Sequence, residues 1–403
     1  MADAGSFEPD LPAPEGGPGG AAGGLEQVAA AAIVRDEVSA LAGWAPASSL
    51  EVLNGRVGPL GGAVVELPLP RGVDPPTILP ARRAGGAAFR PLVETYATVP
   101  YRDIDPTLFA AAAYVLMFGM MFGDVGDGLI LLGAAFCLRG ARRGSLVRLR
   151  TAWPILAFLG ASACAFGLLY GEAFGPTGLV PVLWLAPLDQ PVKLLVAGII
   201  VGAVLLGVSF ALGIANRWRE GGAAQALWAP AGIAGASLFV GVALVVGGVY
   251  WKVSLLTAAG AALALIGLAL AGVGLRAEAG PGGAGGVQAG VELFDLVVRL
   301  GSNVVSFARL AAFGLTHAAL GKVVWDATTA LWGRSPVSDA AAVLVFAAGH
   351  AVAFALEALV AGVQALRLEY YELFSRVFVG EGRPFRPWHL PLAEAAPIGE
   401  ESP

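Results

Sequence analysis

The sequence predicts an all-α polytopic membrane protein with a small α+β cytoplasmic piece ahead of it. Three observations lead there. Hydrophobic residues make up 57% of the chain and charged residues 14%, at a mean hydropathy of +0.72. That is too little charge to cover a soluble domain of 403 residues. Apolar runs as long as the ~20 residues of a spanning helix recur along the chain. Basic residues gather in some loops and are absent from others, a pattern that orients membrane helices.

The opening stretch, Met1 to Gly24, is rich in Gly, Pro, Ala and acids and has neither the basic start nor the apolar core of a signal peptide. It is expected to be a disordered cytoplasmic tail. Residues 25–100 form a small cytoplasmic piece and linker, too short for a large core. Within it Leu25 to Ala42 is weakly helical, Gly43 to Leu69 reads as a short helix followed by a strand at Gly62 to Leu67, and Pro70 to Arg90 is a Pro/Arg-rich linker.

The membrane domain is expected over residues 101–378, with a cytoplasmic C-terminal tail over 379–403. Asp105 is placed to cap a helix with Pro106 at its first position. The apolar run that follows reaches Leu138, more than one crossing needs and a little short for two. Its middle, Phe118 to Gly128, holds four glycines and two aspartates, so it breaks into a hairpin of two short helices. Asp124 and Asp127 read as structural caps there. Charge supports the hairpin: Arg139, Arg142, Arg143, Arg148 and Arg150 follow it, and a single crossing would leave all five outside.

The further spans are Trp153–Gly171, Val192–Ala215, Gln225–Val249, Val253–Leu275 and the long pair Val291–Leu331 and Val337–Phe378, eight in all with the hairpin. The scheme puts Arg217, Arg219, Arg276, Arg383 and Arg386 inside, with Lys252 and Arg334 as exceptions outside. Gly280 to Gly290 reads as a flexible cytoplasmic linker. The two cysteines, Cys137 and Cys164, lie in apolar runs and read as buried hydrophobes. Three histidines without a Cys/His cluster give no structural metal, and no cofactor or nucleic-acid partner is expected.

Each of the last two segments has about forty residues, roughly 60 Å of helix and about twice the hydrocarbon thickness. They are steeply tilted or continue beyond the membrane. Arg309 sits near the middle of the first, where an arginine costs roughly 2.5–3.5 kcal/mol and normally faces a polar path or a partner. Ser302, Arg309 and Thr316 are spaced by seven and share a face, with Ser306 and His317 beside it. On the second helix His350, Glu357, Gln364 and Tyr371 repeat the spacing, with Arg367 one turn from Gln364. Such stripes in apolar helices mark a water-accessible or proton-relaying path. His350 divides between an outer-mouth residue and a packing one. With the first helix running outward, Asp295 lies on the cytoplasmic side of Arg309, while His317 and Glu357 share the outer side. An arginine keeps its proton, so it blocks hopping while attracting a passing carboxylate.

Over about Pro75 to Pro387 the chain resembles the membrane subunit of V/A-type rotary ATPases, called subunit a or subunit I. The resemblance is carried by Asp105-Pro106-Thr107, by Phe118 to Gly128, by Ser306 to His317 and by Glu357 followed by Leu366-Arg367-Leu368-Glu369-Tyr370. The ending Gly380-Glu381-Gly382-Arg383-Pro384-Phe385-Arg386-Pro387 completes it.

What the resemblance implies is eight helices with two long tilted ones, two half-channels facing a proteolipid c/K ring, and partners in the peripheral stalk and central rotor. It implies the essential arginine at Arg309, its companion at Arg367, and channel residues at His317, Glu357 and Asp295. Gln364 stands where eukaryotic members have histidine, and Asp127 where the family commonly has histidine. The family carries a long cytoplasmic arm; here about a hundred residues precede the membrane, and Leu41-Ala42-Gly43-Trp44-Ala45-Pro46 resembles a fragment of that arm. The expected function is an ion (proton)-translocating stator subunit with no nucleotide site of its own, since no phosphate-binding glycine loop followed by Lys-Ser/Thr occurs. The alternatives are a self-contained secondary transporter and a non-conducting membrane anchor. The abundance of Arg over Lys, with Ala and Gly, fits a high-GC bacterium, and the localisation expected is its plasma membrane.

Overall fold

The computed structural model describes residues 30, 32–68, 73–78, 84–141, 146–280, 282–378, 380 and 382–385. The tail expected over Met1 to Gly24 and most of the C-terminal tail lie outside the described residues. The chain divides into two compact units, Met1–Ile78 with Pro384–Pro403, and Leu79–Arg383.

The smaller unit holds an antiparallel hairpin of β1 (Ile33–Arg35) and β2 (Val38–Ala40), with Ile33 opposite Ala40. Over Ile33 to Ala40 this corrects the helical reading of Leu25 to Ala42, whose first residues lie largely outside the described ones. Ile33, Val34 and Val38 are β-branched, and Asp36 takes the left-handed turn at φ 54° that an Asp tolerates. Helix α1 (Leu50–Val57) follows. The strand expected at Gly62 to Leu67 does not form. A strand needs a neighbour for its backbone groups, and the Val64 N–H instead donates to Asn54 Oδ1 at 3.3 Å.

The larger unit opens with α2 (Ala84–Tyr96), so the end of the expected linker is helical. Phe89 and Val93, one turn apart, are buried and give it a face to dock. Helix α3 (Thr107–Met121) starts one residue later than expected, with Asp105 Oδ1 accepting the Thr107 N–H at 2.9 Å. The chain breaks at Phe122 to Asp124 and resumes as α4 (Val125–Gly140). Then come α5 (Trp153–Tyr170) and α6 (Pro191–Trp228), which runs past the expected Ala215 and turns at Gly222, φ 72°. Helix α7 (Ile233–Tyr250) begins beyond Pro230, not at Gln225, because Gln225 to Trp228 complete α6 and Pro230 lacks the N–H to continue it. Helix α8 (Ser254–Glu278) leads to a short turn with Gly280 and Gly282 at positive φ. Most of the expected Gly280–Gly290 linker is therefore the first turns of α9 (Gly283–Ser306).

Helix α10 (Ala308–Leu331) continues α9 across one residue, Phe307, where the α-ladder gives way to a tighter Phe307 N–H to Val304 O bond at 3.2 Å. Phe307 is fully buried against α6: a Cβ on Gly202 would lie 2.1 Å from its Cγ. Helix α11 (Pro336–Leu368) returns through a capping box at Ser335 and ends in a π-helical turn, Glu369–Phe374.

Among the described residues six helical stretches are long and apolar enough to cross a membrane, including the 49 residues of Gly283–Leu331 and the 42 of Pro336–Val377. Helix α3 is apolar with 15 residues and α4 has 16, each short of a full crossing. Small residues let the backbones meet. Added Cβ atoms would strike backbone at 2.8 Å from Gly160 (on Gly128 O) and at 2.4 Å from Gly267 (on Leu238 N). Without a water-driven hydrophobic force between spans, such close contact supplies much of their adhesion.

Candidate functional site

Helices α10 and α11 pack side by side, with the α3–α4 break against His317 and Phe354 and the loop after α5 against Gly321 and His350. His317 on α10 and Glu357 on α11 are joined there, His317 Nδ1 to Glu357 Oε2, with side-chain exposures of 6% and 13%. Phe122, at the break, lies against the His317 ring with centroids 5.0 Å apart. This apolar wall lets the pair meet without water competing for its hydrogen bond.

Asp124 is fully buried and caps α4. Its Oδ1 accepts the Asp127 N–H at 3.1 Å and the Phe174 N–H at 2.8 Å, and its Oδ2 accepts the Gly175 N–H at 2.7 Å. Three amide donors explain how a carboxylate can sit there. Glu172, in the loop after α5, is 3% exposed, and its Oε2 has no hydrogen-bond partner among the described residues. Burial pushes its carboxyl up to about 8, against the opposing influence of His317 and with Asp124 and Glu357 adding. Oxygen or nitrogen atoms of Asp124, Glu172 and His317 all lie within 4.8 Å of one another. His350 is buried between Phe346 and Phe174, with ring centroids at 4.5 and 5.4 Å, which is an aromatic packing position.

A second polar group forms around the α9–α10 junction. Ser306 Oγ donates to Glu372, and Arg309 Nη2 donates to Ser306 Oγ at 3.5 Å. Arg309 Nη1 is buried and has no partner among the described residues. Arg376 is buried with its guanidinium 5.2 Å from the Phe210 ring centroid. Ser302, Ser306 and Arg309 line an open groove of about 730 Å³ together with Pro191, Leu195 and Leu315. Further down α9, Asp295 pairs with Arg299 four residues on.

Of the residues named from the sequence, His317 meets Glu357 and Ser306 meets Arg309. Asp295 is held by its own helix. Gln364 has its Oε1 buried without a partner among the described residues, and Arg367 is exposed on α11. Tyr371 leaves the expected stripe and is 70% exposed, while Thr316 keeps its seven-residue spacing from Arg309 within α10 and donates to Ala312 O at 2.9 Å. The cause for Tyr371 is the π-turn: each residue turns less than in an α-helix, so Glu369 and Glu372 swing inward instead. Glu372, Arg376, Arg299 and Glu172 were not singled out by spacing. Only the acid beside Gly171, in a loop free of bases, gave a sequence sign of Glu172.

A family model described as the V-type ATPase 116kDa subunit family matches residues 63–177 and 287–390. These segments carry the α3–α4 hairpin with the loop after α5, and α9 to the π-turn. The chain is 28% identical over 374 residues to an A-type ATP synthase subunit I of Aeropyrum pernix, covering 80% of this chain and 52% of the relative. It is 29% identical over 318 residues to the A-type ATP synthase subunit I of Pyrococcus horikoshii, covering 74% and 45%. A V-type ATP synthase subunit I 2 of Treponema pallidum is 36% identical over 112 residues, 28% of this chain and 24% of the relative. The chain spans about half the length of the archaeal relatives.

Proposed function

The chain belongs to the V-type ATPase 116kDa subunit family, and from that premise we propose that it is the ion (proton)-translocating stator subunit of a V/A-type rotary ATPase. It is a membrane subunit of the complex, without catalysis of its own. Its partners are a proteolipid ring, the peripheral stalk and central rotor subunits, and the bilayer. It crosses the cell membrane of a bacterium eight times, α3 and α4 counting as a pair of short crossings, with both termini cytoplasmic. Residues 25–100 then serve as the cytoplasmic piece, 101–378 as the membrane domain and 379–403 as a cytoplasmic tail.

The observation that carries this reading is the separation of two polar groups by one arginine. The His317–Glu357 pair lies on one side of Arg309, and Asp295 lies on the other along the same helical stretch. In this reading protons enter or leave through His317 and Glu357 on the outer side, where a carboxylate-bound imidazole can take a proton at one ring nitrogen and pass one at the other. Asp295 serves the cytoplasmic side, with Ser306 and Gln364 as hydrogen-bonding stations. Arg309 stays charged throughout. It therefore separates the two half-channels, and its side chain lines the groove along which a ring carboxylate would arrive. Arg367 assists from α11.

The test is ATP-driven proton pumping by the assembled complex with Arg309→Ala. Pumping is expected to fall at least a hundredfold while the complex still assembles. Pumping at the unsubstituted rate would overturn the reading.

A further inference from the structure

We propose that Asp124, Glu172 and His317 form a binding site for a divalent transition-metal cation of the zinc class, and that the bound ion closes the path through His317. The three residues come from the α3–α4 break, the loop after α5 and α10, far apart in the chain but converging to within 4.8 Å. All three are buried, at 0%, 3% and 5% exposure. One imidazole and two carboxylates are the donor set that zinc accepts in sites keeping one position open.

A second observation points to a ligand. Glu172 Oε2 is buried inside this group with no hydrogen-bond partner among the described residues. A buried acceptor left unmade costs about 1–3 kcal/mol, and an ion bound between the three residues would satisfy it. The surroundings supply what metal-binding histidines usually have. Glu357 holds His317 Nδ1, fixing the ring and leaving the other nitrogen to ligate. Asp124 is fixed by its three amide donors, so two of the three ligands are already positioned. Sequence spacing gave no sign of the site, because each ligand sits on a different element.

The closing step rests on the translocation reading, whereas the site does not. Zinc on the free nitrogen of His317 occupies the position a mobile proton would use, and Glu357 then neutralises a metal-bound imidazole instead of relaying.

The experiment uses the full chain in lipid nanodiscs, equilibrated with zinc chloride and freed of excess by gel filtration. One zinc per chain is expected, with affinity falling at least tenfold in Glu172→Gln, an isosteric change at an atom with no protein partner. Circular dichroism checks that the variant is folded. No retained zinc in the unsubstituted chain, or equal retention in Glu172→Gln, would overturn the site. In the assembled complex, zinc is expected to slow ATP-driven pumping reversibly, and Glu172→Gln to need at least tenfold more zinc for the same slowing. Pumping unaffected by bound zinc would overturn the closure. Zinc retention by the isolated chain needs neither ring nor ATP, so its failure is separate from failure of the proposed function.

Discussion

The contact between His317 and Glu357 is worth most where it is least solvated. Both side chains are nearly buried, and Phe122, itself packed on Phe354 of α11, lies against the His317 ring, so the pair is weakly screened. Removing one partner strands the other, and the two substitutions must therefore be non-additive. In a double-mutant cycle of His317→Ala and Glu357→Ala, read by thermal unfolding of the chain in detergent, the interaction is expected at about 1–3 kcal/mol. Additivity within about 0.3 kcal/mol would show that the two act apart. Helix direction already put these two side chains on the same, outer side of Arg309. Nothing in the spacing could show that Asp124 and Glu172 come up beside them, because loop-borne residues follow no period.

Helical periodicity holds only while the helix does. On α11 the spacing from His350 through Glu357 keeps to one stripe, but the π-turn ends it, leaving Tyr371 in the open and Glu372 against Ser306. The amino-acid pattern of Glu369 to Phe374 carries no mark of that turn, which tertiary packing selects. The short hairpin was legible for the opposite reason: glycine and aspartate declare a break and a cap locally. Helix lengths were legible in their apolar middles and not at their ends: α6 runs past Ala215 through polar residues as far as its kink at Gly222, and α9 begins among small residues at Gly283.

The same reasoning makes α4 and α5 sensitive to bulk. A Cβ at Gly160 would meet Gly128 O at 2.8 Å and Leu132 N at 2.9 Å, both backbone atoms that cannot swing aside. Gly160→Leu is expected to destabilise the chain by about 1–3 kcal/mol, measured as a lowered unfolding temperature in detergent, while Gly133→Leu, which faces open space, is expected to leave it nearly unchanged.

At the scale of the whole molecule, the membrane class follows from composition alone, whereas the number of crossings depends on two helices of 15 and 16 residues. Their pairing fixes which side every later loop faces. With Cys137 and Cys164 replaced, single cysteines at Tyr101 and at Ala141, before and after the pair, are expected to react with an impermeant reagent from the same side of sealed vesicles. Ala141→Cys reacting from the side opposite Tyr101→Cys would remove the proposed eight-crossing scheme. The small unit was the least legible part. Its hairpin is exposed on every residue, so no buried face imposed a pattern on the sequence.

The seat of Phe307 against Gly202 has a mechanical meaning. Where α9 passes into α10 the chain is two stiff rods, each of 24 residues and about 36 Å, with a joint between them. Arg309 stands two residues beyond the joint. A sideways pull on its guanidinium would bend a free rod, but here the joint is keyed into α6, so the force is handed across to that helix close to where it is applied. The arginine then works from an anchored point on a long lever, and the far halves of α9 and α10 need not flex for it to hold its place.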